Sequence, residues 1–95
     1  MKQKKPLKGI KVLELARVLA GPWAGQLLAD LGAQVIKIES PSGDETRNWG
    51  PPFLRDDSSA YFQSANRGKK SVIADLKNSI DCQIIKELAK RADII

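Results

Sequence analysis

The chain has 95 residues, 42% of them apolar and 28% charged, which is enough for one small domain of ordinary globular balance. It contains no histidine and a single cysteine, Cys82. Within these residues that excludes Ser-His and Cys-His nucleophile pairs, imidazole or thiolate metal cages and an internal disulfide. A lone cysteine fits a reducing compartment, so a cytoplasmic setting is expected, and no apolar run is long enough to cross a bilayer.

The net charge of +5 invites a nucleic-acid reading, and its distribution argues against one. Lys2, Lys4, Lys5, Lys8 and Lys11 supply five of the sixteen basic residues, and the other eleven are matched by eleven acidic ones. The excess therefore belongs to one end, and residues 1–8 are expected to form a basic flexible tail. Neither nucleic acid nor membrane is expected as a partner. The opening MKQKKPLKG is followed by no hydrophobic stretch and does not read as a secretory signal.

Residues 10–15 form a short apolar run expected to be a strand buried on both faces. Gly21 and Pro22 suit the start of a helix, and Trp23, Ala24, Leu27, Leu28 and Leu31 recur at helical spacing as one apolar face. Gly32 ends that helix, and Val35, Ile36 and Ile38 mark a second strand. Residues 40–67 are long, polar and rich in proline and glycine, with a short serine-capped helix expected within SSAYFQSA. KSVIADL reads as a third strand. Asn78 or Ser79 then caps a second long helix with Ile80, Ile84, Ile85, Leu88, Ala89 and Ala92 on one side. Residues 93–95 begin a fourth strand.

This order predicts an α/β fold with a Rossmann-like parallel sheet and right-handed crossovers. In such sheets ligands bind beyond the carboxyl ends of the strands, here residues 16–21, 40–44 and 74–78. The first crossover lacks the G-x-G-x-x-G of dinucleotide-binding folds, which weighs against a nicotinamide or flavin module.

Four blocks, GIKVLELARVLAGP, LLADLGAQVIKIE, DETRNWGPPF and AYFQSANRGKKSVIADLK, resemble in order and spacing the N-terminal segment of the family III CoA-transferases of the CaiB/BaiF type. That family includes formyl-CoA and carnitine CoA-transferases and α-methylacyl-CoA racemases. The resemblance implies that residues 1–95 are a partial domain, the N-terminal part of a CoA-binding large domain. It implies a transferase that moves CoA from an acyl-CoA to a carboxylic acid acceptor, without a metal, as an interlaced homodimer. In the family an aspartate attacks the thioester. None of the eleven acidic residues here matches it, so this chain alone is expected to be inactive.

Carried over by position, Val18 and Leu19 match loop residues near the CoA thioester end. Ser40 stands where the family commonly has an arginine against the adenine. Ala74, Asp75, Leu76 and Lys77 match the turn at the nucleotide end, with Lys69 and Lys70 as phosphate neighbours and Arg67 completing a basic cluster. The residues alone leave other roles open. Arg17 suits a phosphate or solvent equally, Trp23 suits the core, Trp49 and Tyr61 suit loop packing, and Cys82 suits a small structural position. The acyl donor, the acceptor and the choice between transferase and racemase stay open. So does a truncated or decayed non-catalytic product, or a different Rossmann-like nucleotide-binding module.

Overall fold

A computed structural model describes residues 4–95. Three parallel strands, β1 (Lys11–Glu14), β2 (Gln34–Glu39) and β3 (Lys70–Ile73), lie in that order in one sheet. The connections carry α1 (Ala20–Asp30), a 3₁₀ turn (Glu45–Asn48), the short α2 (Ala60–Ser64) and α3 (Ser79–Arg91). The expected fourth strand is present as its first step: Ile94 bridges Val12 in parallel, and Leu13 N donates to Ile94 O at 3.0 Å.

The strand register explains the two faces of the sheet. Val12 pairs with Val35, Glu14 with Lys37, and Lys37 with Ser71. Alternation therefore sends Val12, Glu14, Val35, Lys37, Glu39 and Ser71 to one face, and Leu13, Ile36 and Ile38 to the other. The second face has Lys11, Gln34 and Lys70 at the amino ends of the strands and is apolar at its centre. There Leu13, Ile38 and Ala74 meet Ile85 of α3, flanked by Leu88, Ala89 and Ala92. Asn78 starts α3 by accepting from Ile80 N at 2.9 Å and Asp81 N at 3.1 Å. Ile80 and Ile84, expected on the buried side, stay exposed because the stripe that meets the sheet begins at Ile85.

The first face is split along its length. Near the amino ends of the strands it is apolar, with Val12, Ala33 and Val35 packed by Leu7, Ile10, Leu28 and Ala29. Near the carboxyl ends it carries buried charge. Helix α1 crosses this face very closely, since a Cβ on Gly25 would fall 1.8 Å from Glu14 Oε1. Pro22, Gly25 and Gln26 are its buried residues. The expectation that Trp23 packs in the core is corrected: it is 63% exposed, and Leu27 is 58% exposed. Only a glycine fits against the charged end of the sheet, which turns the bulky side chains outward.

The end of the stretch expected as a tail makes contacts with α1. Leu7 N donates to Leu31 O at 2.9 Å and Ile10 N to Leu7 O at 3.0 Å, so the apolar Leu7 anchors this segment to the end of α1. Residues 1–3 lie outside the described residues.

Candidate functional site

A cleft of about 430 Å³ opens at the carboxyl ends of all three strands. Its walls are Ala16 and Arg17 after β1, residues 40–45 after β2, and Ala74, Asp75, Leu76 and Lys77 after β3. Four of these, together with Ser40, are residues expected at the ligand from the sequence. Ser40 is exposed at the rim, its hydroxyl 3.1 Å from that of Ser42. Ala74 is buried, and its N donates to Glu39 O at 2.9 Å. Asp75 shapes the turn: its Oδ1 accepts from Lys77 N at 2.9 Å, while its own N donates to Asp81 Oδ2 at 2.8 Å. Leu76 is exposed beside it, its carbonyl taken by Cys82 Sγ at 2.8 Å.

Val18 and Leu19 follow directly on the wall made by Ala16 and Arg17. Leu19 caps α1 without a side-chain hydrogen bond. Val18 has φ 72°, left-handed backbone that a β-branched residue rarely adopts. Arg17 is 79% exposed and lies 3.7 Å from Glu45.

The expected basic cluster is dispersed. Arg67 pairs with Asp30 at 2.6 Å, and Lys70 begins β3, away from the cleft. Lys69 is enclosed. Its Nζ lies 2.8 Å from Glu14 Oε1 and donates to Glu14 Oε2 at 3.0 Å, Pro22 O at 2.7 Å, Ala65 O at 3.0 Å and Asn66 Oδ1 at 2.9 Å. An ammonium with this many acceptors and a 2% exposed side chain is committed to the interior. Of the four cations only Lys77 lines the cleft.

Beneath the cleft floor lies a buried ionic layer that the sequence reading missed. Lys37 Nζ sits 3.1 Å from Glu14 Oε2 and 3.0 Å from Asp44 Oδ2, and donates to Ala16 O at 2.9 Å. Glu39 accepts two bonds from Arg47, at 2.8 and 2.7 Å, one from Asp44 N at 2.7 Å, and one from the Ser71 hydroxyl. The Arg47 guanidinium lies 3.9 Å over the Phe62 ring. Ser59 caps α2 by accepting from Phe62 N and donates its hydroxyl to Thr46 O, tying the helix to the 3₁₀ turn. Trp49 and Tyr61 pack on each other with ring centroids 5.1 Å apart.

The titration of this layer follows from its contacts. The Arg47 guanidinium beside Glu39, helped by Ser71 and Asp44 N against the cost of burial, holds the Glu39 carboxyl down at about 2. Burial pushes Asp44 up, but the donors of Thr46 and the Lys37 ammonium together outweigh it and keep the carboxyl below its usual range. Burial pulls Lys69 below the usual lysine range against the attraction of Glu14. A signal for this layer existed in the sequence. In VLEL and VIKIE the charges Glu14, Lys37 and Glu39 recur at every second position of strands otherwise made of buried aliphatics.

Among the described residues no group of three or more acidic, histidine or cysteine side chains comes together to hold a metal, and no helix is long and apolar enough to cross a membrane.

A parallel sheet with a cleft at its carboxyl ends and no glycine-rich first turn defines a Rossmann-like α/β unit. The comparisons make this specific. The model of CoA-transferase family III matches residues 7–95, and the chain belongs to that family. It is 54% identical to the succinate–glutarate CoA-transferase of Agrobacterium fabrum, with 98% of this chain and 25% of that protein aligned. It is 54% identical to the succinyl-CoA:glutarate CoA-transferase of Homo sapiens, over 95% of this chain and 20% of that protein. The crystal structure of a CaiB/BaiF family protein from Brucella suis superposes with a TM-score of 0.92 at 53% identity, over 97% of this chain and 25% of that one. The chain thus spans about a quarter of the length of the relatives it matches.

Proposed function

We propose that this chain is the CoA-binding portion of a transferase that moves CoA from an acyl-CoA to a carboxylic acid, and that the cleft at the strand ends takes the CoA. The observation that carries the reading is that Ser40, Ala74, Asp75, Leu76 and Lys77, far apart in sequence, meet in one cleft beside the Val18 loop. The cleft has the size of a small-molecule site. Leu15, Pro41 and Leu76 offer apolar surface to a base or a pantetheine arm, and Lys77 offers a point charge to a phosphate.

The names of the relatives favour short dicarboxylic acids as donor and acceptor in the whole protein. The residue that attacks the thioester lies outside residues 1–95 in this reading, so the chain binds CoA and positions it without completing transfer. In its longer form the protein acts in the cytoplasm as an interlaced homodimer. Equilibrium titration of the chain with CoA and, separately, NAD tests the reading. CoA should bind more tightly, with affinity falling as salt rises. Equal or tighter binding of NAD would overturn it.

A further inference from the structure

The geometry points to Lys37 as a positioning residue that holds the two loops walling the cleft in the shape needed for CoA. This inference rests on the proposed CoA reading of the cleft for its consequence and on the ionic layer for its mechanism.

Lys37 is 1% exposed, yet its ammonium does not serve its own strand. Its three partners are Glu14 at the end of β1, Ala16 O in the loop after β1, and Asp44 in the loop after β2. It therefore bridges the two walls from below. Asp44, whose side chain is 0% exposed, passes the constraint on. Its Oδ1 accepts from Thr46 N at 3.0 Å and Thr46 Oγ1 at 2.8 Å, and its Oδ2 accepts from Val18 N at 3.4 Å. That last bond reaches the one residue of the β1 loop with positive φ, Val18.

A β-branched residue in left-handed backbone is unfavourable and persists only where its surroundings over-determine it. Here the surroundings include Asp44, which Thr46 holds through Oδ1 and Lys37 holds at 3.0 Å through Oδ2, the oxygen that faces Val18 N. Replacing Lys37 alone with an apolar side chain leaves the Glu14 and Asp44 carboxylates buried with less compensation, so it costs stability as well. What the lysine adds is directional: it orients a carboxylate toward a strained backbone amide beside the ligand cleft.

The test uses the 95-residue chain with three substitutions, Lys37→Met, Asp44→Asn and Val18→Gly, read by amide hydrogen exchange and by CoA titration. In Lys37→Met and Asp44→Asn the amides of Val18 and Thr46 should lose protection by about tenfold or more, while those of Ile85 and Leu88 in α3 change by less than about twofold. CoA affinity should fall about tenfold in both. Val18→Gly removes the backbone strain, so its melting temperature should rise while CoA binding weakens. A purely structural role would not separate those two readouts.

Uniform loss of protection across α3 and the loops would overturn the inference, as would unchanged exchange at Val18 in Asp44→Asn. If Lys37→Met does not fold, Asp44→Asn decides alone; if neither folds, the pair serves the whole fold and the inference fails. Should the unaltered chain bind no CoA while the loop amides respond as expected, the clamp stands and the CoA reading falls.

Discussion

Lys69 and Glu14 are 55 positions apart in the sequence, and Lys69 Nζ lies 2.8 Å from Glu14 Oε1 and 3.0 Å from Oε2. The contact joins the end of β1 to the segment entering β3, across the face that α1 covers. It also removes from the cleft a lysine whose place in the sequence suits a phosphate ligand. Glu14 is held on its other side by Lys37, so one carboxylate carries two buried ammonium groups. Lys69→Met should cost about 3 kcal/mol, because removing one partner leaves buried charge poorly compensated. Urea unfolding checks this, and CoA affinity measured under folding conditions should change little.

Gly25 faces the same carboxylate. Alanine is the better helix former by about 1 kcal/mol, so propensity alone predicts that Gly25→Ala stabilises α1. Its Cβ would stand 1.8 Å from Glu14 Oε1 and 3.3 Å from Lys69 Cε. Glu14 cannot yield without breaking both ion pairs. The steric term, about 1–3 kcal/mol or more, outweighs propensity, and the expected result is a lower thermal midpoint.

Acid should loosen the chain through Glu39. Its carboxyl titrates near 2 in the folded protein against a reference of 4.5, so it binds protons more readily when unfolded. Its contribution is complete above about 4.5 and is lost as pH falls toward about 2. Denaturation midpoints measured from pH 6 to pH 2.5 should drop across that window. Glu39→Gln should be less stable at pH 6 and show a shallower drop. Equal slopes for both proteins would show that the Glu39–Arg47 pair does not set the acid limit.

Ser40 stands exposed on the cleft rim. Ser40→Arg places a guanidinium plane there, and stacking on a base contributes about 1 kcal/mol, or roughly a fivefold gain in CoA affinity. Calorimetric titration of the two proteins with CoA reads it. No gain, or the same gain for NAD, would place the adenine elsewhere.

The outward side of α1 carries Leu19, Trp23, Leu27 and Leu31 at four-residue spacing, all exposed. Substituting glutamine at Trp23 and Leu27 should shift stability by no more than about 0.5 kcal/mol per site, as for ordinary surface positions. Self-association seen by sedimentation should decrease, because an apolar stripe of this kind is a contact surface. A loss of several kcal/mol would mean that Trp23 is buried after all.

Assayed with an acyl-CoA donor and a carboxylic acid acceptor, the purified chain should show only background transfer. Turnover that disappears when one of its own carboxylates is replaced would overturn the proposal that these 95 residues bind CoA without completing transfer.

Local sequence determined the order of elements. Short aliphatic runs marked β1 and β2, a serine of SSAYFQSA and Asn78 or Ser79 announced their helices, with Ser59 and Asn78 the caps in the structure, and Gly32, with φ 108°, ended α1. The four motif blocks carried the family, and strand order carried the cleft, because in a parallel sheet every strand delivers its following loop to the same edge. Tertiary structure alone decided which charges face the cleft and which are buried. Lys69 and Lys77 are the same residue type eight positions apart, yet one is enclosed by Glu14 and backbone carbonyls while the other lines the cleft. That choice depends on the register that sets Glu14 beside Lys37 and on the close approach of α1 at Gly25. Both are long-range contacts, and neither leaves a mark within a short window of sequence.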